Sequence, residues 1–233
     1  MPGKRTARVV VDLGMTVLLL LLMAYSLIGE EAHEWLGAAM LLLFVLHHIW
    51  NFTWCRNLAK GRYTPFRVVQ TVVAGLLLVT MVGSMASGIV LSRYAFGFLP
   101  PHGGQALARA IHLPCAYWGF VLMSLHLGLH WNMVLGMMRQ RMGRKPGRAW
   151  TWVLRLLAMA VALYGAACFC HNDIASYLLM RTHFVFYDFG QPLALFFAEY
   201  LAIMGLFVCI AYYLGKACIQ SRNRAKEKKE GNS

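Results

Sequence analysis

Long apolar runs alternate with short polar, mostly basic segments along the chain. Six of these runs reach the roughly 20 mostly apolar residues that a helix needs to cross a bilayer. They cover about residues 9–28, 34–54, 66–91, 105–138, 150–169 and 193–215. The third and fourth exceed a minimal span, so we expect them to tilt or to project from the bilayer. The pattern predicts an all-α integral membrane protein with six transmembrane helices.

Composition and charge placement support this prediction. Hydrophobic residues make up 59% of the 233 positions and charged residues 13%, about half the charged fraction of a typical soluble domain. Basic residues collect before the first run, after the second, after the fourth and after the sixth. The positive-inside rule therefore predicts a protein of the inner (cytoplasmic) membrane with both termini in the cytoplasm. The net charge of +13 is then a topology signal, and we expect no nucleic-acid partner, because such binding needs basic residues on one folded soluble face.

Two stretches resemble known motifs, a signal peptide and a covalent haem attachment site, but do not match them. The first apolar run is longer than the roughly 7–15 residues of a signal-peptide core, so we expect a retained helix. Covalent c-type haem attachment uses Cys-x-x-Cys-His, and the stretch CFCH at 168–171 is one residue short of it.

Histidines recur at the same interval in two of the predicted helices. His33 and His47 are fourteen residues apart, and so are His112 and His126. Fourteen residues of α-helix return to within about 40° of the same face and rise about 21 Å. The second and fourth helices run in the same direction, so the histidines form two levels: His33 with His112, and His47 with His126. Ionisable residues within membrane spans are functional by default.

The flanking sequence repeats as well. VLHHIWNF aligns with SLHLGLHW, which matches Asn51 to His130. Each histidine-bearing helix follows a plainer helix, so the repeated unit is a helix pair, and repeated membrane units commonly place their site between the copies. The predicted organisation is repeat units at about 9–59 and 66–138, a four-helix core over 1–140, two further transmembrane helices with an extracytoplasmic loop over 141–220, and a polar cytoplasmic tail over 221–233.

Two opposed imidazoles at each level are the ligand set of a six-coordinate haem iron. Zinc and di-iron sites instead gather three or four ligands in one coordination shell, often with carboxylates. Small residues between the histidines, Gly37 and Gly119 among them, let a flat macrocycle or another helix approach. The pattern predicts a di-haem four-helix bundle with two non-covalent b haems.

Other side chains compete with this assignment or complete it. His48 neighbours His47 but points about 100° away. His130 lies eighteen residues after His112, which returns to the same face, but Asn51, its partner in the repeat, is a poor iron ligand. We therefore favour His126, and His130 and Asn51 remain candidates to bind a haem propionate or a quinone. At the outer level, Arg93 and Arg109 are candidate propionate partners.

The duplicated interval resembles the di-haem membrane cytochromes b, which hold two b haems between paired histidines on two helices of a four-helix bundle. The stretches IHLPCAYWGFVLMSLHLGLHW and LMRTHFVFYDF are most similar to a prokaryotic four-helix cytochrome family often associated with extracytoplasmic flavin-carrying domains. The resemblance covers about residues 9–138. It implies axial roles for His33, His47, His112 and His126.

The expected function is transmembrane electron transfer by the cytochrome b subunit of a membrane oxidoreductase. No Rossmann glycine fingerprint or P-loop occurs in the sequence, so electrons would be exchanged with a quinone or with an extracytoplasmic flavoprotein or other redox subunit. The loop carrying Arg181, His183 and Asp188 is the predicted docking or quinone region, and an amphipathic interfacial lid is its alternative. A self-contained quinol or ferric reductase and a non-redox haem carrier or sensor are alternative functions.

Overall fold

The structure is a computed structural model that describes residues 2–99, 103–143, 147–182, 184–185 and 190–230, with the backbone alone at 2–5, 142 and 222–230. Helices account for most of the described residues, and no β-strand occurs among them. In chain order the helices are α1 (Pro2–Met23), α2 (Tyr25–Ile28), α3 (Glu30–Arg56), α4 (Pro65–Leu91), α5 (Gln105–Leu129), α6 (Trp131–Met142), α7 (Arg148–His171), α8 (Ile174–Leu178) and α9 (Leu193–Glu230). The predicted all-α class is confirmed.

Six of these helices are long and apolar enough to cross a membrane: α1, α3, α4, α5, α7 and α9. Many of their large apolar side chains face outward. Leu156 and Leu163 of α7, for example, are 67% and 66% exposed. Apolar surface on this scale marks an interaction site, and hydrocarbon chains are its natural partner for helices of this length. The prediction of six transmembrane helices in a lipid bilayer is supported at this level.

Helix boundaries differ from the predicted spans at the fourth run. The sequence pattern continues to 138, whereas α5 ends at Leu129 and α6 begins at Trp131. His130 between them has φ −94° and ψ 2°, so the backbone turns for one residue without losing its local hydrogen bonds. Because apolar residues continue on both sides, periodicity gives no sign of this interruption. Pro114 lies inside α5 without ending the helix.

The chain divides into two compact units. The first comprises Met1–Gly61, Val79–Gly119 and Ser176–Phe197, and the second comprises Arg62–Leu78, Phe120–Ala175 and Ala198–Ser233. In the first unit α1 packs against α3. This contact is close at Gly14, where an added Cβ would lie 3.1 Å from Cδ1 of Leu43. Small residues at such crossings let transmembrane helices approach.

In the second unit α9 packs closely on its neighbours at glycines. A Cβ added to Gly165 of α7 would lie 2.1 Å from the carbonyl oxygen of Ala202, and one added to Gly128 of α5 would lie 2.5 Å from that of Val208. No side chain fits at either position without moving backbone. Backbone-to-backbone packing of this kind stabilises helix association in lipid, where the hydrophobic effect does not drive it.

Candidate functional site

The first unit contains a cavity of about 730 Å³ between α1, α3 and the parts of α4 and α5 that belong to this unit. This volume lies within the roughly 300–1,000 Å³ typical of ligand and cofactor sites. Apolar side chains form much of the wall, with a few polar groups among them. The polar and ionisable lining includes Ser26, Glu30, His33, Glu34, Ser84, Ser92, Arg93, Gln105, Arg109 and His112. We call this space the His33–His112 cavity.

The cavity brings together the two histidines predicted to share one level. The ring centroids of His33, on α3, and His112, on α5, are 6.2 Å apart, and the ring planes are 73° apart. For two imidazoles on one metal ion, a metal–nitrogen bond of about 2.0–2.1 Å and about 1.1 Å from nitrogen to ring centre give a centroid separation of roughly 6.2–6.4 Å. The observed separation fits this arrangement.

Helix α4 orients His112. The carbonyl oxygen of Ser84 lies 3.0 Å from Nδ1, and Oγ of Ser87 lies 3.1 Å from it. The carbonyl can only accept, so Nδ1 carries the proton and Nε2 keeps its lone pair. Gly88 lets the ring lie against the helix, because its added Cβ would be 3.3 Å from Cε1 of His112. A ring nitrogen paired with a backbone carbonyl is the usual partner arrangement of a metal-bound histidine.

His33 has an unpaired polar atom. Its Nδ1 is buried and has no hydrogen-bond partner among the described residues. The ring also packs edge-on to Tyr25, with centroids 5.1 Å apart. A buried polar atom without a partner costs about 1–3 kcal/mol. The wall of the cavity therefore offers a histidine with one ring nitrogen that has no hydrogen-bond partner among the described residues, while the ring also interacts with the backbone of Leu22.

Gly37 leaves space on the same helix. It lines the His33–His112 cavity, and a Cβ added there would meet no atom within 4 Å. Gly119, the other small residue singled out in the sequence, is in ordinary contact range of Met81, with Sδ 3.6 Å from its added Cβ. Of these two glycines, Gly37 is therefore the one that provides room for a ligand.

Glu34 anchors the turn that follows α4. Its carboxylate accepts hydrogen bonds from Oγ of Ser92 at 2.6 Å and from the backbone N–H groups of Arg93, Tyr94 and Ala95 at 2.8, 2.7 and 3.0 Å. Four donors on one carboxylate fix this turn beside the start of α3. The sequence pattern does not predict this role of Glu34, because the donors are about sixty residues away and are mostly backbone groups.

The two predicted propionate partners both line the cavity. Arg93 and Arg109 are exposed residues, and Nε of Arg93 lies 3.6 Å from Oε1 of Glu30. This ion pair is long, and exposed pairs contribute only about 0–1 kcal/mol. The guanidinium group of Arg93 is thus free to pair with another anion at low cost. A role for either arginine in binding a propionate stays a prediction.

The predicted docking loop contributes to the same cavity. Phe184 and Val185 line it, and the backbone N–H of Arg181 donates to the carbonyl oxygen of Ser176 at 2.9 Å. His183 and Asp188 lie outside the described residues. The described residues of the loop therefore contribute apolar side chains to the wall of the cavity.

His47 has a partner that the sequence pattern does not predict. Its Nδ1 lies 2.8 Å from Oδ1 of Asp12 on α1. The side-chain amide of Asn51 donates to the carbonyl oxygen of His47 at 2.9 Å and lies 3.5 Å from Nδ1. An acidic residue inside an apolar run was the available signal, since such residues are rare and need a partner.

The remaining histidines of the predicted inner level are His48, His126 and His130. Nδ1 of His48 lies 2.8 Å from the carbonyl oxygen of Phe44, one turn earlier on α3. His126 and His130 belong to the second unit, with ring centroids 4.7 Å apart. The pairing of His47 with His126, and the roles of His130 and Asn51 towards a propionate or quinone, stay predictions.

The sequence pattern also gave no role to Glu199, a buried acid. Glu199 of α9 is 6% exposed, and the side-chain amide of Asn172 donates to its Oε2 at 3.0 Å. This hydrogen bond joins α9 to the residue that follows α7, within the second unit. The signal was again an acidic residue in an apolar run.

Among the described residues, no group of three or more His, Cys, Asp and Glu side chains is arranged to hold a metal ion. Comparisons with protein-family models, with curated proteins and with solved structures find no match to the chain. The fold and the site thus define an all-helical protein with six membrane-length helices and a histidine-lined cavity. The likeness to di-haem cytochromes remains a resemblance in the residues alone.

Proposed function

We propose that the chain binds haem between His33 and His112 and carries electrons across a membrane. The observation that carries the proposal is the histidine pair itself. Two imidazoles meet at 6.2 Å in a cavity of about 730 Å³, one with Nδ1 held by α4 and the other with an unpaired buried Nδ1. Bound there, a haem supplies an iron that gains and loses one electron reversibly.

The residues around the pair have separate tasks in this proposal. Ser84 and Ser87 hold the ring of His112 in one orientation, and Gly88 admits that ring against α4. Buried apolar side chains such as Met40 and Met81 form part of the cavity wall. An apolar shell around a metal site limits access of solvent and so affects the redox potential of the metal.

The repeat supports a second haem site. His47 and His126 occupy the equivalent positions to His33 and His112, about 21 Å further along their helices by helical rise. In the proposal, a haem at each histidine pair would give electrons a path between the two faces of the membrane. We call the pair His47 and His126 the second site.

In this proposal the protein is the cytochrome b subunit of an oxidoreductase in the inner membrane, with both termini in the cytoplasm. The basic segments support this orientation. Its partners would be an extracytoplasmic flavin-carrying or other redox subunit, a quinone, or both. The candidate docking surface is the segment around Phe184 and Val185, because these residues also line the His33–His112 cavity.

Haem content and its dependence on named histidines test the proposal. The purified protein should hold about two acid-extractable haems per chain with low-spin spectra. His33→Ala and His112→Ala should each remove one of them, and the other should remain. His171→Ala is the matched control, since this histidine ends the membrane-length helix α7 and is exposed. A folded native protein without haem, or loss of haem in the control alone, would overturn the proposal.

Vesicle experiments test the direction of transfer. With an impermeant reductant outside and an impermeant acceptor inside, the native protein should pass electrons across the sealed bilayer. His33→Ala and His47→Ala should each abolish this flux. Two haems with exchange confined to one face would instead identify a self-contained quinol or ferric reductase, and haem release to an acceptor protein without redox turnover would identify a carrier.

A further inference from the structure

Helices α7 and α9 pack antiparallel within the second unit, and their contacts define one register. A Cβ added to Gly205 of α9 would lie 2.7 Å from Cγ1 of Val161 of α7. Sγ of Cys209 lies 3.8 Å from the carbonyl oxygen of Ala158. The close approach of α9 at Gly165 continues the same register in the other direction. Lower residue numbers in α7 therefore meet higher residue numbers in α9.

Two basic side chains lie one to two turns beyond these contacts, and both contact aromatic rings. By the same register, Arg155 of α7 lies level with Tyr212 of α9, and Lys216 follows one turn later. Cζ of Arg155 is 5.2 Å from the ring centroid of Trp152. Nζ of Lys216 is 4.4 Å from the ring centroid of Tyr212 and 6.0 Å from that of Tyr213. We call these five residues the α7–α9 band.

The aromatic contacts hold the two cations without using up their hydrogen-bond donors. The face of an aromatic ring attracts a cation, but the N–H groups of arginine and lysine still need oxygen acceptors. Arg155 is exposed and Lys216 is half-buried. Among the described residues, neither side chain forms an ion pair with a carboxylate. The band therefore presents cationic donors that can bind an anion from the surroundings.

No carboxylate of the described helices α7 and α9 lies close to the α7–α9 band. Residues 35–172 contain no Asp or Glu. In α9, Glu199 comes thirteen residues before Tyr212, which is roughly 20 Å along the helix axis. Glu227 comes eleven residues after Lys216, or roughly 16 Å along the axis. The positive charge of the band is thus not neutralised within these two helices.

We propose that the α7–α9 band binds the headgroup of an anionic phospholipid, whose phosphate accepts hydrogen bonds from Arg155 and Lys216. Both helices are long and apolar enough to cross a membrane, so lipid surrounds them. Tryptophan and tyrosine prefer the headgroup level of a bilayer, which is where lipid phosphates lie. Basic residues between transmembrane helices recognise acidic headgroups in this way. The inference does not depend on haem binding.

Native mass spectrometry of the delipidated full chain tests the inference. Phosphatidylglycerol and phosphatidylcholine with the same acyl chains share the phosphate and differ in net charge. Each basic residue near an anionic surface strengthens association by about fivefold, so the first phosphatidylglycerol should bind roughly 25-fold more tightly than the first phosphatidylcholine. Arg155→Gln and Lys216→Gln should each reduce this preference about fivefold. Arg155→Lys keeps the charge and should retain the preference.

Arg8→Gln is the matched control, because it removes the same charge from an exposed residue of α1 outside the band, and it should leave the preference unchanged. An equal loss in Arg8→Gln, or equal affinity of the native chain for the two lipids, would overturn the inference. Inorganic phosphate should not displace bound phosphatidylglycerol, and displacement would instead assign the band to free phosphate. If one of the two glutamine variants fails to fold, the other decides the matter. A native chain that shows the preference but holds no haem would remove the proposed function and leave this inference intact.

Discussion

Filling the His33–His112 cavity at Gly37 separates a ligand-binding space from an ordinary gap between helices. Gly37 lies in α3 four residues after His33 and lines the cavity, and an added Cβ there would meet no atom within 4 Å. We expect Gly37→Leu to fold and to insert normally. Leucine also favours the helical state over glycine by about 0.8 kcal/mol. Its side chain would extend into the space that we assign to haem.

The size of the effect follows from the volume removed. A carbon group occupies about the 30 Å³ of a water molecule in the liquid, so the four added carbons take up roughly 100 Å³ of a cavity of about 730 Å³. Overpacking of a filled site costs about 1–3 kcal/mol. At about 1.4 kcal/mol per factor of ten, retention of the haem at His33 and His112 should weaken roughly 5- to 150-fold.

The assay is the ratio of extractable haem to protein after a long wash in detergent. Gly75→Leu is the matched control, because Gly75 also lies inside a membrane-length helix with no atom within 4 Å of an added Cβ, and it does not line the cavity. Native protein and Gly75→Leu should keep about two haems per chain, and Gly37→Leu should fall towards one. Equal haem retention in the two variants, with both folded, would refute the assignment of the cavity.

Three further variants test individual contacts. Ser87→Ala removes one acceptor near Nδ1 of His112. A hydrogen bond of about 1 kcal/mol corresponds to roughly fivefold, so haem should dissociate about fivefold faster, measured by its transfer to a haem-free acceptor protein. Glu34→Gln replaces the carboxylate that accepts four hydrogen bonds. The turn after α4 should lose about 1.5–3 kcal/mol of stability, and added protease should then cleave it. Gly165→Leu forces the backbones of α7 and α9 apart, so the unfolding temperature of this variant in detergent should fall. The unfolding temperature of Gly75→Leu should not fall. An unchanged temperature in Gly165→Leu would contradict the close packing of α7 and α9.

The helices were predictable because one physical requirement dominates them. A chain that crosses hydrocarbon must be apolar for about 20 residues and must satisfy its backbone internally, so hydropathy alone locates the spans. The break at His130 and the extension of α9 to Glu230 were not predictable in this way. Apolar residues continue through the break at His130. Helix α9 continues beyond its apolar residues as a polar helix, and a hydropathy pattern does not show where such a helix ends.

The site was predictable only in part, for a different reason. Periodicity puts His33 and His47 on nearly one face of a helix, and the repeat suggests which residues face them. Asp12 and Glu34 are single acids without periodicity, and their partners lie 35 to 61 residues away. Such contacts depend on how helices cross, which the sequence pattern does not specify.

The hydrogen bonds around the histidines are the contacts from which the ligand role is proposed. His112 and His47 each have Nδ1 paired with an acceptor on another helix. His33 has a buried Nδ1 with no partner among the described residues, and its ring also interacts with the backbone of Leu22. A buried polar atom without a partner costs about 1–3 kcal/mol, and in the proposed function a metal ion at His33 would offset that cost. Haem content is therefore the measurement on which the predictions for the cavity depend.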